Sequence, residues 1–340
     1  MNLNTLWFMI ITFLFMGFFF LEGFDYGVGI LLPFISKKDL ERRVVINTIG
    51  PVWDGNEVWM ITAGAALLAT FPEVYASLTS GFYLAMMTMI MGLIIRAVGF
   101  EYRSKREETW WRKAWDWGLF AGSLIPAFTW GLMICNMMRG LALEPDKYYY
   151  GGLLPLLNPF ALVGGLTFVG LFTLHGASFL GIKLAGPLKD NAKKAGQVIW
   201  LPVILLTAGF LVWTFLTTDL LNNPGLDGLP LAIISAAALA AYGYLIRTEK
   251  EMLTFISGAI FILSSTVMVF AGLFPRLLVS TLDPAYSLTI YNSAASPGTL
   301  RLMSIIVAIF LPLVMLYQGW TYYIFRERLS AESGDADLHY

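Results

Sequence analysis

The chain has 340 residues, of which 57% are hydrophobic and only 13% charged, with 22 Lys and Arg against 23 Asp and Glu and a formal net charge of -1. A mean hydropathy of +0.69 lies far outside the soluble range of about 45–50% apolar and about 25% charged residues. A soluble domain and a basic nucleic-acid-binding surface are therefore both excluded as expectations, and the chain is predicted to be an all-α integral membrane protein.

Several apolar stretches approach or exceed the roughly 20 residues that cross a bilayer as helix, and the two-residue alternation of an outer-membrane strand is missing. In chain order, spans are predicted at 6–34, 50–70, 75–98, 116–138, 158–182, 198–217, 229–246, 252–274 and 302–325. The first begins after a start without the positive n-region of a signal peptide and is longer than an h-region, so it is expected to stay as a helix. The expected architecture is thus a bundle of about nine transmembrane helices forming one domain over 1–326, with a polar cytoplasmic tail at 327–340. The loops around Lys37–Arg43, Arg103–Lys113, Lys183–Lys194 and Arg247–Lys250, with Arg326 and Arg328, hold 17 of the 22 Lys and Arg. All fall on one side. The positive-inside rule then puts the N-terminus outside and the C-terminus in the cytoplasm.

Most single features have plain roles. One cysteine, Cys135, excludes an internal disulfide and reads as a packing residue. The methionines of "LAMMTMIMGLI" run around their helix as core or lipid contacts, and "TWWRKAWDWG" and "GWTYYIF" read as interfacial aromatic anchors. Pro126, Pro202 and Pro312 are expected to kink their helices, and Asn158 with Pro159 reads as an N-cap with proline at N1. His175 is the one histidine inside a span; a bis-histidine haem needs two, so a packed imidazole is favoured.

The anomaly is acid inside apolar spans. "PVWDGNEVW" carries Asp54 and Glu57, and "FFFLEGFDYGVG" carries Glu22 and Asp25, each pair at helical spacing. At about 1.5 Å per residue, Asp54 is expected about 16 Å in from Arg43, Glu57 about 4.5 Å further, and Asp25 about 18 Å in from Lys37. Arg96 and Glu101 would extend the group toward the cytoplasm. A charge at mid-membrane costs about 2.5–3.5 kcal/mol on insertion scales, so such residues face the bundle interior. They either form a proton-conducting chain or pair Asp25 and Asp54 with Arg96 as a lock between helices, helped by Asn56. Glu22 is placed at a subunit interface on this view. The same acids could serve as coupling sites of a secondary transporter, although neither internal repeats nor paired broken helices are evident.

The runs "EGFDYGVGILLPF", "ERRVVINTIGPVWDGNEVW", "ITAGAALLATFPEVYASLTSGFY", "RAVGFEYRSKREETWWRKAWDWG" and "LLNPFALVGG" resemble subunit II of the cytochrome bd quinol oxidases, most densely over 20–165. The connection near 218–229 is short beside longer members. The resemblance implies a respiratory terminal oxidase that oxidises quinol at the outer face and reduces dioxygen to water with cytoplasmic protons. It implies haem b and haem d in the complex, ligated by a haem-bearing subunit I that also binds the quinol, and none ligated by this chain. Subunit II would be a related bundle stabilising that partner, supplying a proton path or a dioxygen route, in a bacterial or archaeal cell membrane. A small accessory membrane subunit and membrane lipid are further expected partners. The family's motif residues fall on Asp25, Trp53, Asp54 and Arg96, and Trp53, with Glu22 and Asn56, is an interface or haem-proximal candidate.

Overall fold

The structure is a computed structural model and describes residues 2–220 and 228–331. Among these the chain forms eleven α-helices: α1 (Leu3–Ile35), α2 (Asp39–Ile49), α3 (Trp53–Thr70), α4 (Pro72–Gly81), α5 (Tyr83–Tyr102), α6 (Thr109–Arg139), α7 (Pro159–Lys183), α8 (Gly186–Thr217), α9 (Leu229–Leu245), α10 (Glu251–Leu273) and α11 (Pro297–Ile324). Seven of them, α1, α5, α6, α7, α8, α10 and α11, are long and apolar enough to cross a membrane. α9, with 17 residues, is apolar but shorter. α3 has 18 residues and opens with Asp54 and Glu57. This is a multi-pass helical membrane protein.

Two expected spans are divided. The stretch at 75–98 is split between α4 and α5 at Phe82, whose backbone (φ -94, ψ 18) leaves the helical region. The segment ahead of 54 is not one helix with it: α2 ends at Ile49, and Val52 (φ -126, ψ -21) turns the chain before α3 starts at Trp53. Pro51 in the intervening turn has no N–H to continue a ladder. α6, α8 and α11 run through Pro126, Pro202 and Pro312. Asn158 caps α7 as expected, its side chain accepting from the Ala161 N–H at 3.0 Å.

The 33-residue α1, about 50 Å long, is the central post. It packs on α3, α6, α7 and α10, and every residue from Glu22 to Leu32 is buried. Glycine makes this approach possible. A Cβ at Gly27 would collide with the Phe172 carbonyl and lie 2.8 Å from the Gly176 nitrogen, so α1 and α7 cross backbone against backbone. Such small-residue crossings replace the hydrophobic drive that lipid cannot provide. Gly27→Val is expected to destabilise by about 1–3 kcal/mol or more through overpacking. Gly209→Val, where a Cβ meets nothing within 4 Å, should be neutral. Thermal denaturation of the purified protein distinguishes the two.

Both long connections at the α6–α7 end are folded. Strand β1 (Arg276–Leu278) pairs antiparallel with β2 (Leu288–Thr289), and the Leu141 N–H donates to Val279 O at 2.9 Å, knitting the segment after α6 to the one after α10. At the opposite end, Leu329 exchanges backbone hydrogen bonds with Lys183 and Ala185, at 2.8 and 2.9 Å. The expected polar tail from 327 therefore begins pinned to the α7–α8 turn. Its residues 332–340, and 221–227 of the short connection noted above, lie outside the described residues.

Candidate functional site

Four helices each contribute residues spaced three or four apart, which places them on one face. They are Glu22, Asp25 and Tyr26 on α1; Trp53, Asn56 and Glu57 on α3; Arg96 and Phe100 on α5; and Gln318 and Tyr322 on α11. α5 reaches this position because Gly122 of α6 offers no side chain: a Cβ there would lie 2.7 Å from both the Arg96 Cβ and the Gly92 carbonyl.

Arg96 is fully buried and is the hub. Its Nη1 donates to Glu22 Oε1 at 2.5 Å and to Glu57 Oε1 at 2.8 Å, while Nη2 lies 4.0 Å from Asp25 Oδ2. Aromatic rings close around the guanidinium. Tyr26, Phe100 and Trp53 have their centroids 5.2, 5.4 and 5.9 Å from it, and Trp53 stacks on Phe100 at 4.8 Å. Cation–π attraction of this kind is worth about 2 kcal/mol when desolvated. Asp25 in turn accepts from Asn56 Nδ2 at 2.7 Å. The Asn56 carbonyl accepts from Gln318 Nε2 and Tyr322 Oη, each at 2.8 Å, and Trp59 Nε1 donates to Gln318 Oε1 at 2.5 Å. A polar relay thus runs from α11 through α3 to the acids on α1.

Charge and hydrogen-bond capacity are both left over. Three carboxylates share one guanidinium, so full ionisation leaves two negative charges uncompensated. Glu22 and Asp25 are completely buried, and the Glu57 side chain is 16% exposed. Glu22 Oε2, Asp25 Oδ1, Tyr26 Oη and Arg96 Nε and Nη2 are buried without a hydrogen-bond partner among the described residues. Buried polar atoms in folded proteins are nearly always paired, with protein or with ordered water. A cluster with this many open positions has the two to four polar partners that a buried water needs.

The structure brings together Glu22, Asp25, Asn56, Glu57 and Arg96 and sets Trp53 against them. Three placements need correction. Asp54 is exposed on the chain's surface. It lies two residues from the inward-facing Asn56, which is 200° around a helix, so the two cannot both face the interior. With α2 and α3 separate, it is also a first-turn residue of α3, and its charge meets the positive end of that helix. Glu101 is likewise exposed; five residues past Arg96 turns it about 140° away. Glu22 belongs to the core of the cluster, as the shortest partner of Arg96, not to a subunit interface. Tyr26, Gln318 and Tyr322 were not expected.

His175 is fully packed. Its Nε2 is 3.1 Å from the Phe20 carbonyl, a Cβ on Gly258 would lie 3.2 Å from its Nδ1, and its ring stacks on Phe255 at 5.0 Å with 10° between planes. Phe20 and Phe24 pack against it at centroid distances of 5.6 and 5.7 Å. The residue is 1% exposed and its Nδ1 has no hydrogen-bond partner among the described residues, so the imidazole is packed inside the bundle.

Comparison with known proteins follows the same line. The family model for cytochrome bd terminal oxidase subunit II matches residues 3–325. Cytochrome bd ubiquinol oxidase subunit 2 of Bacillus subtilis (strain 168) is 38% identical over 329 residues, covering 97% of each chain. Cytochrome bd-I ubiquinol oxidase subunit 2 of Escherichia coli (strain K12) is 33% identical over 374 residues, covering 99% of this chain and 98% of that one. Among solved structures, a chain of the bd oxidase from Geobacillus thermodenitrificans superposes with a TM-score of 0.73 at 17% identity, over 96% of this chain and 99% of that one, which speaks for the fold. The transporter alternative finds no support in these relationships. The chain belongs to the cytochrome bd terminal oxidase subunit II family.

Proposed function

We propose that this chain is the haem-free half of a quinol:oxygen oxidoreductase, and that the cluster around Arg96 takes up protons and passes them toward a haem-bearing partner. Complexes of this family bind haem, and a subunit II implies a subunit I. Haem b and haem d would be ligated by that subunit, which also binds the quinol, and would supply the electron transfer that reduces dioxygen to water. The part of this chain is to brace the partner and to hold protons at Glu22, Asp25 and Glu57.

The observation that carries this is the charge excess: three buried carboxylates on one guanidinium, with open hydrogen-bonding positions beside them. Leaving two uncompensated charges inside a bundle costs several kcal/mol or more, and protons arriving through bound water are the means of neutralising them. Glu57, partly exposed, is the entry. Asp54 stands one turn before it on the outer surface.

That surface is also where the partner fits. Val58, Ile61 and Leu68 of α3 are exposed beside Asp54, as are Leu84, Met87, Met91 and Ile94 of α5. An ionised carboxylate is not tolerated against lipid, so the α3–α5 face meets subunit I, and Asp54 meets a polar group there. Nine crossings, with α3 and α9 among them, put the two termini on opposite sides, with the N-terminus outside. The segregation of Lys and Arg supports that orientation.

Copurification tests the division of labour. Expressed with its subunit I, the chain is expected in a complex with haem absorption; purified alone, it should be colourless. Stoichiometric haem on the isolated chain would contradict the assignment.

A further inference from the structure

At the end of the bundle where Lys and Arg concentrate, the α1–α2 turn and the start of α6 enclose a cavity of about 180 Å³. Four cations line it, Lys37, Arg42, Arg112 and Lys113, against two acids, Asp39 and Glu107. Asp39 is already engaged, with Oδ1 accepting from Arg103 Nη2 at 2.8 Å and Oδ2 from Arg112 Nη1 at 2.6 Å. Beneath it, the buried Asp116 accepts from Arg42 Nη1 at 2.7 Å and from Arg103 Nε at 2.6 Å. The network fixes the arginines in place, as bidentate oxyanion sites require. Positive charge and donors remain after these pairs are made. Among the described residues Arg42 Nε, and Nη1 of Arg103, whose side chain is 1% exposed, are buried with no hydrogen-bond partner; Arg103 stands behind the lining, where the exposed charge is that of Lys37 and Lys113.

A second source of donors opens on the same space. Thr109, the first residue of the 31-residue α6, lines the cavity, and the preceding Glu108 makes no side-chain cap. The free N–H groups and macrodipole of a long helix favour an anion there.

We infer that this cavity binds the phosphate diester of an anionic phospholipid. A phospholipid is favoured over a soluble phosphate by what borders the site. Phe34 and Trp117 are 64% and 55% exposed, and with Phe120 they form a contiguous ring surface, their centroids 5.3–6.5 Å apart. Lys113 precedes Trp117 by four residues within α6, one helical turn from it, and Lys37 lies two residues past the end of α1, three after Phe34. A phosphate in the cavity would leave its acyl chains lying along these aromatics, at the height where Trp and Tyr meet the headgroup layer.

Native mass spectrometry of the intact complex with subunit I tests this, using added phosphatidylglycerol, phosphatidylcholine of equal chain length, and inorganic phosphate. The Lys37→Gln/Lys113→Gln pair removes two exposed charges that form no described ion pair, so the haem spectrum should be unchanged. Each lysine near an anionic headgroup is worth about fivefold, so the pair is expected to weaken one saturable phosphatidylglycerol site about 25-fold. Phosphatidylcholine is expected to bind there far more weakly. Three results would overturn the assignment: equal binding of the two lipids, phosphatidylglycerol binding unmoved by the double substitution because an acidic segment of the partner fills the cavity, or displacement by millimolar inorganic phosphate.

Discussion

Replacing Arg96 with glutamine is expected to abolish accumulation of an assembled, haem-containing complex. Among the described residues Arg96 is the one cation in contact with the three acids, two of them fully buried. Removing one member of a buried charged group costs about 3–5 kcal/mol, because the partners left behind are desolvated and unpaired. That is a large share of a typical folding free energy of about 5–15 kcal/mol. Lysine should not rescue fully. A point ammonium can hold Glu22 and Glu57, but it lacks the planar face that Tyr26, Phe100 and Trp53 surround. The loss has a specific suppressor: Glu22→Gln combined with Arg96→Gln removes the nearest uncompensated acid and should restore part of the yield, a non-additivity expected of groups in direct contact. The haem-to-protein ratio of solubilised complex measures all three variants. Normal assembly of the single glutamine variant would show that the cluster does not hold α1, α3 and α5 together.

Much of this was legible in the sequence, and the failures have geometric causes. Composition alone dictated a helical membrane bundle, and acids in apolar runs pointed to Asp25 and Arg96 as partners. For Asp54 the height beside Asp25 holds, since Asn56 two residues on bonds Asp25, but the side of the helix it faces does not. Helical phase, readable from the sequence, would have corrected it, since Asn56 and Asp54 point in opposite directions. Glu101 failed for the same reason. Tyr322 reads in the sequence as one of the interfacial aromatics of "GWTYYIF", and only tertiary contact shows that this end of α11, through Gln318 and Tyr322, is tied to Asn56. The network of Asp39, Arg42, Arg103, Arg112 and Asp116 was hidden for another reason. Charges at a membrane end read as solvated loop, and no pattern in the chain reveals that Asp116 and Arg103 are buried.

The second large effect separates proton transfer from mere bracing. Asp25→Asn keeps the shape and an oxygen to accept from Asn56, yet it removes one negative charge from a group that has two too many. A purely structural cluster should therefore gain stability, or stay level, and run at full rate. A cluster that carries protons should assemble equally well and lose turnover, by roughly a hundredfold, the low end for deleting a positioned proton-transfer group. The decisive measurement is quinol-driven oxygen consumption with simultaneous proton uptake by the purified Asp25→Asn complex, at matched haem content. Intact haem absorption with both rates lowered together is the expected result; full oxygen consumption and full proton uptake would contradict the assignment of these carboxylates to proton transfer.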